Sequence, residues 1–154
     1  MTFRIIGLDP EPFLDLAGQS DAELAEHGIM RRVSDGTGFP CRVSLKDVGA
    51  GERVLLLNFE HQPAPTPFRS SHAIYVREGE QHRYDRVGEI PDLLRKRLLS
   101  IRAFDAGHML VDADVIPGDA AAALIERFFA SPATDYLHVH YARPGCYAAR
   151  VDRV

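Results

Sequence analysis

The chain has 154 residues, 26% of them charged and 45% apolar, with a formal net charge of −4. These ordinary values exclude a disordered or collagen-like chain, and the length suits one domain spanning residues 1–154 around one core. A negative net charge gives no broad positive field, so nucleic acid and an anionic membrane surface are not expected partners.

The opening "MTFRIIGLDPEPF" holds a short apolar run broken by Asp9 and Pro10, too short for the core of a secretory signal. No stretch approaches the ~18 consecutive apolar residues of a membrane span, and the expected location is cytoplasmic. The sequence contains two cysteines, Cys41 and Cys146, too few for a disulfide framework and expected to be free thiols.

In chain order, a strand is predicted over residues 2–8, then a short helix over 21–27 with Ser20 as N-cap, Glu23 as its capping-box partner and Gly28 as the stop. Strands follow at 29–34, 41–45 and 53–60. Pro63, Pro65 and Pro67 deny backbone donors and make residues 61–70 an extended loop before a strand at 72–78. Pro91 suits the first position of a two-turn helix. Strands at 98–104 and 108–116 precede the longest helix, 119–130, capped by Asp119 and striped by Leu124, Ile125 and Phe128. Strands at 135–142 and 146–152 close the chain. Tight connections between strands make the expected class α+β, a mainly antiparallel sheet built from β-hairpins with a few short helices.

Two hairpins carry a readable register, because a one-residue slip moves every side chain to the other face. With Asp105, Ala106 and Gly107 as a loop and Gly107 left-handed, Phe104 faces His108. Leu99, Ile101 and Ala103 then share a face with Met109, Val111 and Ala113. With Arg143, Pro144 and Gly145 as a loop, Ala142 faces Cys146, and Leu137, Val139 and Tyr141 share a face with Tyr147, Ala149 and Val151. The reverse face carries His138, His140, Cys146, Arg150 and Asp152, and its side chains are expected to lie away from the core.

The stretches "FRIIGLDPEPF", "FPCRVSL", "GERVLLLNFEHQP", "SHAIYVREG", "FDAGHMLVDADV" and "HVHYARPGCYAARVDR" resemble the bacterial family catalogued as domain of unknown function 1203. The resemblance spans nearly the whole chain and implies a single-domain cytoplasmic bacterial protein. It brings no activity, cofactor or catalytic residue.

Three constellations carry chemistry. Histidines at i and i+2 on a strand point the same way about 7 Å apart, so His138 and His140, with Cys146 as a third ligand, form an alternative metal set, although no CxxC or HExxH accompanies them. His140 and Cys146 are also the candidate catalytic residues, since a thiolate beside His140 and Arg150 is the reactive form. The favoured reading is a small-molecule pocket. Asn58, Glu60 and His61 end the apolar strand "RVLLLNFEH", His72 opens the next strand, and a long loop lies between them. Arg42 and Arg102 supply charge for an anionic ligand, and His138 and Arg150 complete the expected ligand-binding set. The alternative is a non-catalytic oligomeric or interaction module with the His138/His140 face as the contact between subunits. No motif assigns a cofactor, and Cys41, alternating with Val43 and Leu45, reads as a buried hydrophobe.

Overall fold

A computed structural model describes residues 2–154. The strands are β1 (Phe3–Ile6), β2 (Met30–Val33), β3 (Arg53–Gln62), β4 (Ser70–Arg77), β5 (Asp85–Val87), β6 (Leu98–Phe104), β7 (Leu110–Pro117), β8 (Tyr136–Tyr141) and β9 (Tyr147–Arg153). The helices are α1 (Glu11–Leu14), α2 (Asp21–Glu26), α3 (Asp92–Arg95) and α4 (Ala121–Ala130). A six-stranded sheet has the order β5-β1-β9-β8-β6-β7, and a three-stranded sheet the order β2-β3-β4. Every strand pair is antiparallel, so the chain is α+β as expected. Among the described residues no helix is long and apolar enough to cross a membrane.

Each sheet has its own core. Leu99, Ile101, Leu137, Val139 and Val151 of the larger sheet pack against Leu124, Ile125, Phe128 and Phe129 of α4. Val54, Leu55, Ile74 and Val76 of the smaller sheet pack with Phe13 of α1 and Leu24 of α2. Helix α2 forms where the capping box predicts it: the Glu23 N–H donates to Ser20 Oγ and the Ser20 N–H to the Glu23 carboxylate.

The segment expected as a strand at 41–45 is a turn instead, joined to its neighbours by isolated bridges from Pro40 to Asp47 and from Cys41 to Tyr75. Its apolar residues are still buried, Cys41 and Val43 in the smaller core and Leu45 in the larger. The turn therefore pins the two cores together. Gly7 permits it, because a Cβ there would stand 2.1 Å from the Val43 carbonyl oxygen.

Helix starts are likewise set by packing. Pro91 is the N-cap of α3 rather than its first helical residue. Asp119 lies inside a 3₁₀ turn, Gly118–Ala120, and α4 begins after Ala120 with no side-chain cap. At Gly118 a Cβ would come within 1.8 Å of the Leu94 carbonyl oxygen, so the turn docks directly on α3.

Both hairpin registers depart from expectation. In β6–β7, Ala103 pairs with Asp112 instead of Met109 and Phe104 with Leu110 instead of His108. His108 rather than Gly107 takes the left-handed position, with φ 64°, and Asp105 Oδ1 accepts hydrogen bonds from the Gly107 and Met109 N–H groups. Over Leu98–Ala103 the shift is odd, so Val111 and Val115 of this edge strand are exposed, as is Met109 in the turn before it.

In β8–β9 the expected pairing holds for Leu137 with Val151 and Val139 with Ala149, then slips by one so that His140 pairs with Tyr147. A bulge of this kind places two residues of one strand against one of the other. Here it moves Tyr147 onto the histidine face. Cys146, whose carbonyl accepts from the Tyr141 N–H, goes to the opposite side, in contact with the larger core.

Candidate functional site

One face of β8 presents Tyr136, His138 and His140, set by the two-residue alternation of a strand. Cross-strand neighbours extend each position into a row: Phe104 and Asp152 flank Tyr136, Arg102 and Arg150 flank His138, and Ser100 and Tyr147 flank His140. The end of the β3–β4 hairpin lies over this surface. By the same alternation His61 falls on the side of Leu57 and Phe59, while Asn58 and Glu60 point out. The β3–β4 pairing slips between Phe59 and Gln62, and at this irregularity the His61 and His72 rings stack with centroids 4.7 Å apart.

The result is a buried histidine cluster at the junction of the two sheets. One ring nitrogen from each of His61, His138 and His140 lies within 4.8 Å of the others. His61 is 8% exposed, His138 3% and His140 1%. Tyr147 stacks on His61 with centroids 4.9 Å apart and meets His138 and His140 edge-on. Gln62, Tyr136 and His108 close one end: Gln62 Nε2 donates to the Tyr136 hydroxyl at 2.8 Å, and His108 Nδ1 lies 2.8 Å from the same oxygen.

Electrostatics hold the cluster neutral. Burial lowers the His61 pKa to about 4, with His72 and Arg102 adding repulsion. Burial lowers His140 to about 3, partly opposed by its hydrogen bond to Gly145, and His138 to about 2, reinforced by His140 and His61. Burial also lowers His72, with Arg102 and Arg42 as further causes. Neutral imidazole is the form that binds a metal ion.

Hydrogen bonds select tautomers. His140 Nδ1 lies 3.0 Å from the Gly145 carbonyl oxygen, which can only accept, so Nδ1 carries the proton and Nε2 the lone pair. His61 Nε2 lies 2.7 Å from His72 Nδ1. The Nδ1 atoms of His61 and His138 are buried without a hydrogen-bond partner, which is costly for a polar atom.

Beside the cluster, with His72 as a shared wall, lies a cleft of about 600 Å³. Arg42, Lys96, Arg97, Arg143, Tyr141 and Cys146 contribute to its lining. Arg42 is 2% exposed, and its donors go to the Tyr147 and Pro40 carbonyls and, at 3.0 Å, to Cys146 Sγ. Arg97 is paired with Asp47 at 2.8 Å.

The expected site residues therefore separate. His61, His138 and His140 converge, and His72 joins them to the cleft that holds Arg42. Arg102 stands across from His138, outside the cleft lining. Asn58 and Glu60 are exposed, Glu60 paired with Arg69 at 2.9 Å, and both lie outside the cluster. Arg150 pairs with Asp152 at 2.7 Å and covers the Tyr136 ring. Cys146 is not a partner of the histidines, because the bulge puts Tyr147 in the place expected for it. Both cysteines are free thiols. His138 and His140, expected in the alternative reading on a contact face between subunits, are buried within the chain, where His61 and His72 of the β3–β4 hairpin lie against them.

Sequence reasoning missed Tyr136, Tyr147 and Tyr141, which read as ordinary strand residues, Gln62, which fell in the expected loop 61–70 but ends β3, and the cleft cations Lys96, Arg97 and Arg143. The strand alternation that pairs Tyr136 with His138 and His140 was a usable signal for the first aromatic residue alone.

Fold and site together define an α+β protein with a neutral histidine cluster where two antiparallel sheets meet. A family model described as "Protein of unknown function (DUF1203)" matches residues 38–153, which include the cluster and the cleft, and the chain belongs to that family. No curated protein and no solved structure matches the chain.

Proposed function

We propose that this protein binds a divalent transition-metal ion through His61, His138 and His140, and that the adjoining cleft is a small-molecule pocket served by that centre. The observation that carries the reading is the convergence of three buried, neutral imidazoles from two different sheets. Ligands of one tetrahedral zinc ion, each at about 2.0–2.1 Å, stand about 3.3 Å apart. The 4.8 Å span narrows to this by rotation of the rings, whose terminal torsions are soft. Nitrogen donors suit zinc, copper, nickel and iron rather than magnesium or calcium.

The surrounding hydrogen bonds fit a ligand set. The Gly145 carbonyl orients His140, as a second-shell acceptor does for a metal-bound histidine. When His61 Nε2–H donates to His72 Nδ1, the unpartnered Nδ1 of His61 is left with its lone pair free. Three protein ligands leave one coordination position open, the arrangement of catalytic rather than structural zinc sites. His72 supports this reading as the residue through which the centre and the cleft communicate.

The test is metal stoichiometry and affinity. Protein stripped of metal and titrated with Zn²⁺ or Co²⁺ is expected to take up one equivalent, and cobalt to give the intense visible bands of a low-coordinate site. His61→Ala and His140→Ala should each weaken binding by more than the ~10–100-fold that loss of an outer-shell partner costs, while His72→Ala should fall within that range. Failure of Zn²⁺, Co²⁺, Ni²⁺ and Cu²⁺ alike to bind folded protein at micromolar concentration overturns the proposal.

A further inference from the structure

The charge of the cleft identifies the class of molecule it takes. The chain as a whole is negative, yet among the described residues four cationic side chains and no carboxylate line this cavity. Only Arg97 among the four is in an ion pair, with Asp47. Lys96 and Arg143 stand at the exposed rim, and Arg42 is buried at 2% exposure with its donors on two carbonyls and a thiol, none of which neutralises it. A guanidinium taken out of water without a counter-charge is unfavourable unless an anion completes the site.

A second observation points the same way. The Tyr141 ring lies beneath the Arg42 and Arg97 guanidiniums, with centroid distances of 5.0 and 5.4 Å. Its hydroxyl is buried without a hydrogen-bond partner, in a residue 4% exposed that lines the cleft. An unmet phenol donor beside the uncompensated Arg42 suits an oxyanion, which accepts from both kinds of group. Leu56, Tyr75 and Leu98 add apolar surface to the same cavity, enough for a ligand with a nonpolar body.

We infer that the cleft bounded by Arg42, Lys96, Arg143 and Tyr141 binds a small organic anion, a carboxylate or phosphate monoester carried on an apolar body. The inference rests on the reading of the cleft as a ligand pocket and not on the metal, because none of these four residues belongs to the histidine set. A planar guanidinium fork matches the oxygens of either headgroup, and the clustered positive charge raises the local concentration of anions.

The experiment uses full-length protein stripped of metal and dialysed free of chelator, titrated calorimetrically with hexanoate and hexyl phosphate and, as matched controls, hexanol and hexylamine. One or both anions should bind and raise the melting temperature, the stronger of the two naming the headgroup, and the binding should weaken with added salt. The controls should not bind. Lys96→Ala with Arg143→Ala, at rim positions where folding is not at stake, should weaken the anion by at least tenfold. Arg42→Lys, which keeps the charge but loses the fork, should also weaken it. Equal binding of hexanol or hexylamine, undiminished affinity in the double variant, or no binding of either anion at millimolar concentration overturns the inference. His140→Ala separates the two sites: anion binding that survives there while metal binding is lost supports this inference, and loss of anion affinity in folded, metal-free His140→Ala overturns its independence from the histidines.

Discussion

Leu137 and Val139 on one side of β8 and His138 and His140 on the other are all 3% exposed or less, yet they sit in environments of opposite kind. The first pair packs into the larger core, among Leu99, Ile101, Leu124 and Phe128. The second pair is equally dry but surrounded by imidazole, phenol and guanidinium, with a ring nitrogen left unpartnered. Burial of the first pair follows from the hydrophobic effect. Burial of the second costs free energy, because polar atoms lose water without full replacement. Equal burial therefore has opposite energetic consequences, and the face that is unfavourable for stability is the one whose imidazoles are proposed to bind metal.

The largest expected effect that sharpens this contrast is pH dependence in metal-free protein. Folded His61 stays neutral down to about pH 4 and His140 to about 3, both chiefly through burial. In the unfolded chain each takes up a proton near pH 6.5. Between those values the unfolded state binds more protons, so stability rises with pH: it is fully present above about 6.5 and is lost as pH falls through the folded values. The loss approaches about 1.4 kcal/mol per pH unit for each histidine. Urea midpoints should be level between about pH 7.5 and 6.5 and fall toward that slope between about pH 6.5 and 5, and a profile flat throughout would show that the histidines titrate as if solvated.

Next in size is Leu137→Ala on the apolar face, expected to cost about 2–5 kcal/mol through lost transfer energy and a residual cavity. The urea midpoint of the metal-free variant reads it directly. A cost below about 1 kcal/mol would mean that this side of the strand is not tightly packed.

His138→Leu should behave in the opposite way. Replacing a buried polar group that lacks a full set of partners by an apolar one of similar size is nearly neutral, or stabilising by about 1 kcal/mol, in metal-free protein. The same variant should no longer bind Zn²⁺. Strong destabilisation in the absence of metal would show that His138 is part of the packing and would erase the contrast between the two faces.

The smallest effect is expected at the edge of the same sheet, where Val115 is 54% exposed. Val115→Thr keeps the branched shape of the side chain and should change the urea midpoint by no more than about 0.5 kcal/mol. A larger loss would mean that β7 is covered in solution and that its pairing register has been read without its true neighbour.

The two hairpins show how much of this was legible beforehand. In β8–β9 the alternation of Leu137, Val139, Ala149 and Val151 specified the pairing correctly over the buried half, because a slip there would expose apolar side chains. The same rule misread β6–β7. Its premise was that the apolar side of each strand faces the core, and β7 is an edge strand whose Val111 and Val115 are exposed. In the turn, a histidine took the left-handed position that glycine was expected to fill.

The sequence by itself determined the α+β class, the capped helix α2, most strand positions, and the placement of His138 and His140 on one face of a strand. These are properties of local periodicity and short-range hydrogen bonds, which neighbouring residues settle among themselves. Only the tertiary structure decided which groups complete that face. The bulge after Val139 exchanges Cys146 for Tyr147, and the docking of the β3–β4 hairpin brings in His61 and His72. The cleft depends in turn on Arg42, Lys96 and Arg143 meeting from three separate segments. Such meetings are fixed by the packing of two cores against each other, a balance of contacts between residues far apart in the chain to which no local pattern is sensitive.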